Sequence, residues 1–338
     1  MTDNCQLAVS VLLPVFFRDI GSEDIRLLRR ALDSIRQQEF RDDYEVLVLD
    51  DGSAMEIERV LRKLGDIDLD RIRFIRNRRN QGLVYTLNRG LSEARFPLIA
   101  RLDADDRWLP TKIKKQLDLM AADHDLAITA TGMTLVTPEG DPLESHVRPG
   151  DWTGILRFFV DVGCPFPHGS VLARRDIYTM LGGYSHNPAS SHCEDYALWG
   201  IWLRFFKPAM VEEALYDYTV SSSSVSSVHG EQQRRASGVV NRQFRNLDLV
   251  ARLPDALAEL ASVMGCSVLD AGMLAYKMWR FRVPVFLPVA CIEPLRIILP
   301  DRHLMPSSQK GLTLDPSRLM GAWRATEADE RFIAVQAA

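Results

Sequence analysis

Residues 98–110, Leu-Ile-Ala-Arg-Leu-Asp-Ala-Asp-Asp-Arg-Trp-Leu-Pro, read as a buried strand that runs straight into three carboxylates. Leu98, Ile99, Ala100 and Leu102 supply the strand, and Asp103, Asp105 and Asp106 crowd its C-terminal end. Pro110 then stands where a new helix can start. Carboxylates two residues apart at a strand end repel one another unless water solvates them or a divalent cation lies between them. Hard oxygen ligands of this kind suit Mg2+ or Mn2+, which keep coordination sites free for the phosphates of a substrate. Taken alone, the triplet reads equally as a solvated acidic turn. Its place after a run of strand-like segments favours the ligand reading.

Those segments precede it in order. Leu7 to Pro14 is an apolar run without strict alternation, as a strand covered on both faces requires. A helix follows, with Ser22 as cap, Glu23 and Asp24 in its first turn, and Ile25, Leu28, Leu32 and Ile35 at helical spacing. Tyr44 to Leu49 predicts a second strand closed by the turn Asp50-Asp51-Gly52-Ser53. Ile57, Val60, Leu61 and Leu64 mark a second helix, Ile72 to Ile75 a third strand, and Leu83, Leu87, Leu91 and Ala94 a third helix after the break Asn80-Gln81-Gly82. The alternation βαβαβαβ predicts a parallel, doubly wound sheet. Its right-handed crossovers bring every strand C-terminus to one edge, where ligands bind. Acidic groups gather on that edge. Neither GxGxxG after the first strand nor GxxxxGK[ST] anywhere is present, so a phosphate ligand would bring its own metal.

The chain has 338 residues, a net charge of -4 and 25% charged residues, which argues against nucleic acid as a partner. Cys5, Cys164, Cys193, Cys266 and Cys291 are scattered, without CxxC or zinc spacing, and fit a reducing, cytoplasmic setting. The beginning of the sequence lacks a basic and apolar leader. No run approaches the roughly 18 apolar residues of a spanning helix.

The second half carries further candidates. Lys112, Lys114 and Lys115 read as the solvated face of a helix whose Ile113, Leu117 and Met120 face the core. Leu126 to Val136 and the turn after it predict strands, and Trp152, Ile155, Leu156 and Phe159 a helical stripe. Cys164-Pro165-Phe166-Pro167-His168-Gly169-Ser170 is a proline-pinned approach to a strand over Ser170 to Ala173. It presents His168 either to a site or as a satisfied histidine holding the loop. Glu194 and Asp195 open a helix containing Tyr196, Trp199 and Trp202, where the helix dipole favours their charged forms. Val211 to Val220 reads as a final strand. Ser221 to Ser227 is of low complexity and expected to be mobile, as a lid or a plain linker. Residues 276–300 mix Trp279, Phe281 and Phe286 with Lys277, Arg280 and Arg296, cut by Pro284, Pro288 and Pro294. They suit either peripheral membrane contact or packing against the catalytic domain or a second subunit of a homo-oligomer.

Taken together and in order, SVLLPVF, VLDDGS, NQGLVYTLNRG, IARLDADD, GGY and EDYALW resemble the family 2 inverting glycosyltransferases with the nucleotide-diphospho-sugar transferase (GT-A type) fold. The resemblance spans about Ser10 to Tyr218. It implies an α/β, Rossmann-like fold with a mostly parallel central sheet flanked by helices. Residues 1–229 would be the catalytic domain and 230–338 a helical C-terminal region. The implied activity is metal-dependent transfer of a hexosyl or N-acetylhexosaminyl group from a nucleoside-diphosphate sugar, UDP-linked, to a glycan or lipid-linked acceptor in bacterial surface polysaccharide biosynthesis. Peripheral attachment to the cytoplasmic face of the inner membrane would accompany it.

By the same resemblance Pro14, Val15 and Phe16 line the base pocket, Asp51 contacts the base edge, and Asn80 and Gly82 belong to the nucleotide site. Asp103 lies near the ribose with Ala104 beside it, Asp105 holds Mn2+ or Mg2+ on the diphosphate, and Asp195 is the general base, Glu194 serving beside it or as a helix cap. Many members carry an Arg in the helix after the NxG turn, whereas the matching position here is Leu87. Arg101 either reaches the diphosphate or base pocket or forms a salt bridge holding the acidic loop. His168 lies near donor sugar and acceptor, and His229 is a candidate third metal ligand or diphosphate contact. Two rivals stand beside this reading. A sugar nucleotidyltransferase needs a glycine-rich basic loop that Phe16-Phe17-Arg18 does not supply. A non-catalytic sugar-nucleotide-binding or scaffolding module has no reason to keep Asp51, Asp103, Asp105 and Asp195 together.

Overall fold

The computed structural model describes residues 7–40, 43–65, 69–188, 191–220, 225–242, 250–281 and 289–300. The chain divides into two compact units, one of residues 1–200 and 208–245, the other of residues 201–207 and 246–338.

The first unit is built on a mixed sheet with strand order β3 (Ile72–Arg76), β2 (Tyr44–Asp50), β1 (Val9–Val15), β4 (Leu98–Arg101), β8 (Leu172–Arg174), β6 (Leu126–Val136), β9 (Lys207–Thr219), β5 (Arg107–Trp108), with β7 (Pro142–His146) pairing with β6. Strands β1, β2, β3 and β4 are parallel. Helices α1 (Ser22–Arg36), α2 (Ile57–Leu64) and α3 (Leu83–Glu93) are their crossovers. The sheet then turns antiparallel through β5, β6, β7, β8 and β9. The first half has the alternation read from the sequence. The two-residue strand β5 is too short to leave a periodic signal.

Apolar runs covered on both faces make this core. Val9, Val11, Leu13, Val46 and Val48 pack with Leu28, Leu32 and Ile35 of α1, each such side chain contributing about 1.5–3 kcal/mol on leaving water. Helix α4 (Lys112–Ala122) buries Ile113, Leu117 and Met120 as expected, but it buries Lys112 too. The Lys112 ammonium lies 4.1 Å from the centre of the Trp108 ring and donates to Gln116 Oε1 at 2.9 Å. Burial pushes its pKa well down. Only Lys114 and Lys115 of that basic trio are on the surface, pairing with Asp118 and Glu213.

Helices α5 (Trp152–Asp161), α6 (Arg175–Leu181), α7 (Glu194–Phe205) and α8 (Val225–Arg242) follow. Helix α8 begins inside the serine-rich stretch expected to be mobile: Val225, Ser226 and Ser227 are its first turn, and residues 221–224 lie outside the described residues. The second unit contains α9 (Leu253–Met264), α10 (Val268–Phe281) and α11 (Val289–Ile298). Leu257, Leu260 and Met264 are buried there, and Val263 is exposed. Tyr276 and Trp279 pack with Phe205 at ring-centre distances of 5.6 and 5.7 Å, so both are occupied in the core of this unit. Among the described residues no single helix is long and apolar enough to cross a membrane. Leu253–Met264 and Val268–Arg280 reach that length together but meet at a bend of 101°.

Candidate active site

Parallel pairing fixes where the functional residues lie. Val15 opposes Asp50 and Asp50 opposes Arg76, so the ends of β1, β2 and β3 share one edge. Strand β4 ends there as well, in Arg101. Strand β8 runs antiparallel to β4, Ala100 facing Leu172, which carries the 3-10 turn His168–Ser170 to the same edge. The indole N–H of Trp108 locks that turn by donating to the Gly169 carbonyl at 2.7 Å.

At the β2 end, Asp51 is buried and already engaged. Its Oδ1 accepts from Asn77 Nδ2 at 2.7 Å and the Gln81 N–H at 2.8 Å, and its Oδ2 from the Gly82 N–H at 2.9 Å. A carboxylate offers about four acceptor positions, so one is left on Oδ2. Asp51 therefore shapes the Asn77–Gly82 loop as well as facing the edge. Gly52 at φ +76° permits this, because a Cβ there would stand 2.4 Å from the Arg79 carbonyl carbon. Of the three residues assigned to the base pocket, Phe16 is exposed and able to act as a platform and Pro14 is half-buried. Val15 is a correction: its side chain belongs to the core, leaving only its backbone at the edge. Asn80 is exposed at the loop tip.

Sequence reading passed over Asn77, the hub of this loop. Besides Asp51 it donates to Thr86 Oγ1 at 2.9 Å, and its Oδ1 accepts from Arg89 at 2.6 Å. Leu87 is fully buried, and Arg89 two residues on supplies a guanidinium that also donates to the Arg76 carbonyl.

At the β4 end the three carboxylates separate. Asp106 turns inward, its Oδ1 accepting from the Thr219 N–H at 2.7 Å and its Oδ2 from the Tyr216 hydroxyl. It is a post for β9 rather than part of an open cluster. Asp103 pairs with Arg101, which is buried at the end of β4. Burial works against the Arg101 charge, but Asp103, then Tyr184, Tyr216 and Asp195, outweigh it and move its pKa above the usual value. Its Nε is buried without a hydrogen-bond partner. Arg101 thus forms the salt bridge holding the acidic loop. Ala104 packs toward the core. Asp105 is held by its backbone, its carbonyl accepting from Arg30 Nη2 at 2.7 Å and Thr219 Oγ1 at 2.5 Å. Burial, then the Asp103 charge, raises its carboxyl pKa to about 6.

Opposite stands α7. Its first residues follow His192, whose φ of 63° is unusual for a side chain with a Cβ. Gln233 of α8 donates to the His192 carbonyl at 3.1 Å, and the Cys193 thiol contacts Ser237 at 3.4 Å. Helix α8 therefore holds the turn that presents Glu194 and Asp195. Burial first, then the neighbouring Glu194, raises Asp195 to about 6, and burial raises Glu194 as well. Asp195 Oδ1 accepts from the Tyr196 N–H at 2.7 Å, and Oδ2 lies 3.8 Å from His168 Nδ1. His168 Nε2 meets the Tyr184 hydroxyl at 2.8 Å. Burial first, then Arg101, keeps His168 well below its ordinary pKa.

Arg101, Asp103, His168, Tyr184, Glu194 and Asp195 thus share one electrostatic neighbourhood. Among the described residues no group of three His, Cys, Asp or Glu side chains is arranged to enclose a metal ion. His229 lies on α8, but its side chain is outside the described residues.

The fold is similar to that of a solved Staphylococcus aureus protein, TarS. The 1–349 fragment in complex with UDP-GlcNAc superposes with a TM-score of 0.52 at 13% identity, covering 93% of this chain and 92% of that one. The UDP complex gives 0.50 at 15% identity, covering 93% and 91%. The likeness is one of fold, that of the nucleotide-sugar transferases. The family pattern "Glycosyl transferase family 2" matches residues 10–179, and the chain belongs to that family. Among its relatives are EpsE of Bacillus subtilis (strain 168), a provisionally assigned glycosyltransferase 32% identical over 196 residues, covering 56% of this chain and 67% of EpsE. The O-antigen biosynthesis glycosyltransferase WbnJ of Escherichia coli is 27% identical over 169 residues, covering 50% and 63%. The amylovoran biosynthesis glycosyltransferase AmsE of Erwinia amylovora is 27% identical over 172 residues, covering 51% and 62%. The chain thus spans under two thirds of WbnJ and AmsE.

Proposed function

We propose that this protein is an inverting glycosyltransferase that moves a hexosyl or N-acetylhexosaminyl group from a UDP-sugar to a glycan or lipid-linked acceptor in surface polysaccharide assembly. The observation that carries the reading is that Asp195, a buried carboxylate with a raised pKa, and Asp103 at the acidic sheet edge both act on the same buried guanidinium of Arg101. Relatives named for O-antigen and amylovoran biosynthesis support the polysaccharide context. The solved TarS complexes with UDP and UDP-GlcNAc support a uridine donor.

In this reading the base ring lies on Phe16 near the remaining acceptor position of Asp51, in the pocket that Asn80 and Gly82 close. Asp103, held by Arg101, meets the ribose. Asp195 takes the proton from the acceptor hydroxyl as its oxygen bonds to the anomeric carbon. The bond from that carbon to the diphosphate oxygen breaks on the opposite face, and the nucleoside diphosphate leaves with the electron pair. One displacement inverts the anomeric centre. Asp105 fits a divalent ion: an ion held by one or two carboxylates and completed by substrate phosphates is the usual state of Mg2+, and Mn2+ takes the same oxygen donors. Burial beside Asp103 leaves Asp105 short of positive charge, which such an ion would supply. When bound it would stabilise the negative charge developing on the leaving diphosphate. The thiols of Cys164, Cys193 and Cys291 are free, which suits work on the cytoplasmic side.

Calorimetric titration of UDP, GDP, dTDP and CDP, each with and without Mn2+, tests the donor. Binding of UDP that requires the metal and is lost in Asp105→Ala is expected. Binding of another nucleotide alone, or equal binding without metal, refutes the donor assignment.

A further inference from the structure

Neutral His168 has one N–H and two polar neighbours, the Tyr184 hydroxyl at 2.8 Å and the Asp195 carboxylate at 3.8 Å. An ionised carboxylate only accepts hydrogen bonds, whereas a phenol both donates and accepts. A single arrangement satisfies both: Nδ1 carries the proton toward Asp195, and Nε2 accepts from Tyr184. The Tyr184 oxygen can then accept in turn from the Tyr178 hydroxyl, 3.4 Å away. Burial keeps both phenols protonated, as this order of donors requires.

The imidazole is clamped from several sides. Asn88 holds the Tyr184 backbone at both ends, its Oδ1 accepting from the Tyr184 N–H at 2.8 Å and its Nδ2 donating to the Tyr184 carbonyl at 2.9 Å. Gly183 at φ +72° is what lets Asn88 approach, since a Cβ there would stand 2.3 Å from Asn88 Oδ1. The edge of Trp199 meets the His168 ring at 87°, with ring centres 6.0 Å apart. Pro165 and Pro167 fix the chain leading to it.

We propose that His168 is the positioning residue of the base: pinned through Nε2 by Tyr184, it directs an Nδ1–H at the Asp195 carboxylate and fixes the direction from which that carboxylate takes the acceptor proton. Catalytic hydrogen bonds run long until substrate closes the site, and a small movement of the Asp195 side chain turns 3.8 Å into such a bond. Glu194 on the same helix, Cys193 before it, Cys164 on the approach loop, Arg101 at the end of β4, and Tyr178 and Tyr184 are the other titratable or charged groups around Asp195. The inference rests on Asp195 being the base.

Two measurements on the full chain test it. Release of UDP from UDP-GlcNAc in the presence of Mn2+ is followed against pH for wild type, His168→Phe, His168→Asn and Tyr184→Phe. Removing the donor from a charged acceptor should move the acid limb of kcat up by about one pH unit in His168→Phe, about tenfold in the protonation equilibrium. The KM for the donor should stay nearly constant. His168→Asn, which keeps an N–H in reach, should recover most of the shift, and Tyr184→Phe should show part of it. A limb that stays in place in His168→Phe, or a raised KM with unchanged kcat, overturns the proposal.

The second measurement does not need turnover. Carboxyl-labelled aspartate, with Asp195 assigned through Asp195→Asn, should titrate higher in His168→Phe than in wild type. In histidine labelled with 15N, His168 should be the neutral Nδ1–H form. An unchanged Asp195 titration or the Nε2–H form overturns the positioning role even if UDP-GlcNAc is not the donor. Absence of turnover with any UDP-sugar while the titration shifts as expected would fault the proposed reaction instead. Should His168→Phe fail to fold, His168→Asn and Tyr184→Phe decide by the same readouts.

Discussion

Replacing Asp51 by Ala separates its structural work from any contact with a ligand. The substitution removes the acceptor for the Asn77 side chain and for the amides of Gln81 and Gly82. Asn77 is buried, and its NH2 group keeps only the Thr86 hydroxyl as an acceptor. A buried donor left without its acceptor costs ~1–3 kcal/mol. The two loop amides lie where water can replace the carboxylate, at ~0.5–1 kcal/mol each. The sum is about 3 kcal/mol, and with an m value of about 3 kcal/mol/M it lowers the urea midpoint by ~1 M. Asp51→Asn should cost less, because one carbonyl oxygen still serves Asn77 and Gln81 while an NH2 group now faces the Gly82 N–H. The assay is urea unfolding of wild type and both variants, combined with hydrogen exchange at Gln81 and Gly82. An Asp51→Ala protein with an unchanged midpoint and unchanged protection at those amides would refute the reasoning.

Other outcomes follow from the same geometry. With Asp195 raised to about 6, the acid limb of kcat should fall off below that pH. A raised carboxyl pKa also means the native state binds the proton more tightly than the unfolded chain, so stability is lost as pH rises through the native value. Asp195→Asn should therefore be inactive yet more stable than wild type near about pH 8, by ~2 kcal/mol, with the gap closing toward about pH 4; a gap independent of pH would count against it. Gly52→Ala should destabilise the first unit by ~2–4 kcal/mol in urea unfolding, since both the positive φ and the Arg79 backbone oppose a Cβ. Asp106→Ala should cost ~3 kcal/mol by leaving the Tyr216 hydroxyl and Thr219 N–H unpaired, a loss that calorimetric unfolding at neutral pH would register.

Much of the first half was legible because local and global preferences agree there. Leu12, Leu13, Val46 and Val48 lie in strands buried on both faces, and the stripe of α1 follows its helical period. The parallel alternation then requires the strand ends, and with them Asp51, Asp103 and Asp105, to share an edge. Asn77, Tyr184, Arg89 and Gln233 were not legible as site-building residues, because their partners lie 9 to 96 positions away in sequence and periodicity carries no trace of them. Lys112 shows the converse: a basic residue on an amphipathic helix reads as solvated, and only the Trp108 face and Gln116 reveal that it is buried.

The alternation of strand and helix through β4, the acidic character of the strand ends and the family pattern across residues 10–179 were determined by the sequence itself, because burial periodicity and short motifs are local properties of the chain. Which carboxylates stay open was decided by tertiary structure alone. Asp103, Asp105 and Asp106 are near neighbours of one chemical type, yet Arg101 holds the first, backbone contacts from Arg30 and Thr219 place the second, and Tyr216 draws the third into the core. The same holds for Asp195 and His168, 27 residues apart, which meet because antiparallel β8 returns its 3-10 turn to the edge where β4 ends. Charge separation at a site is a property of distances, and distances across a sheet exist only once the chain has folded.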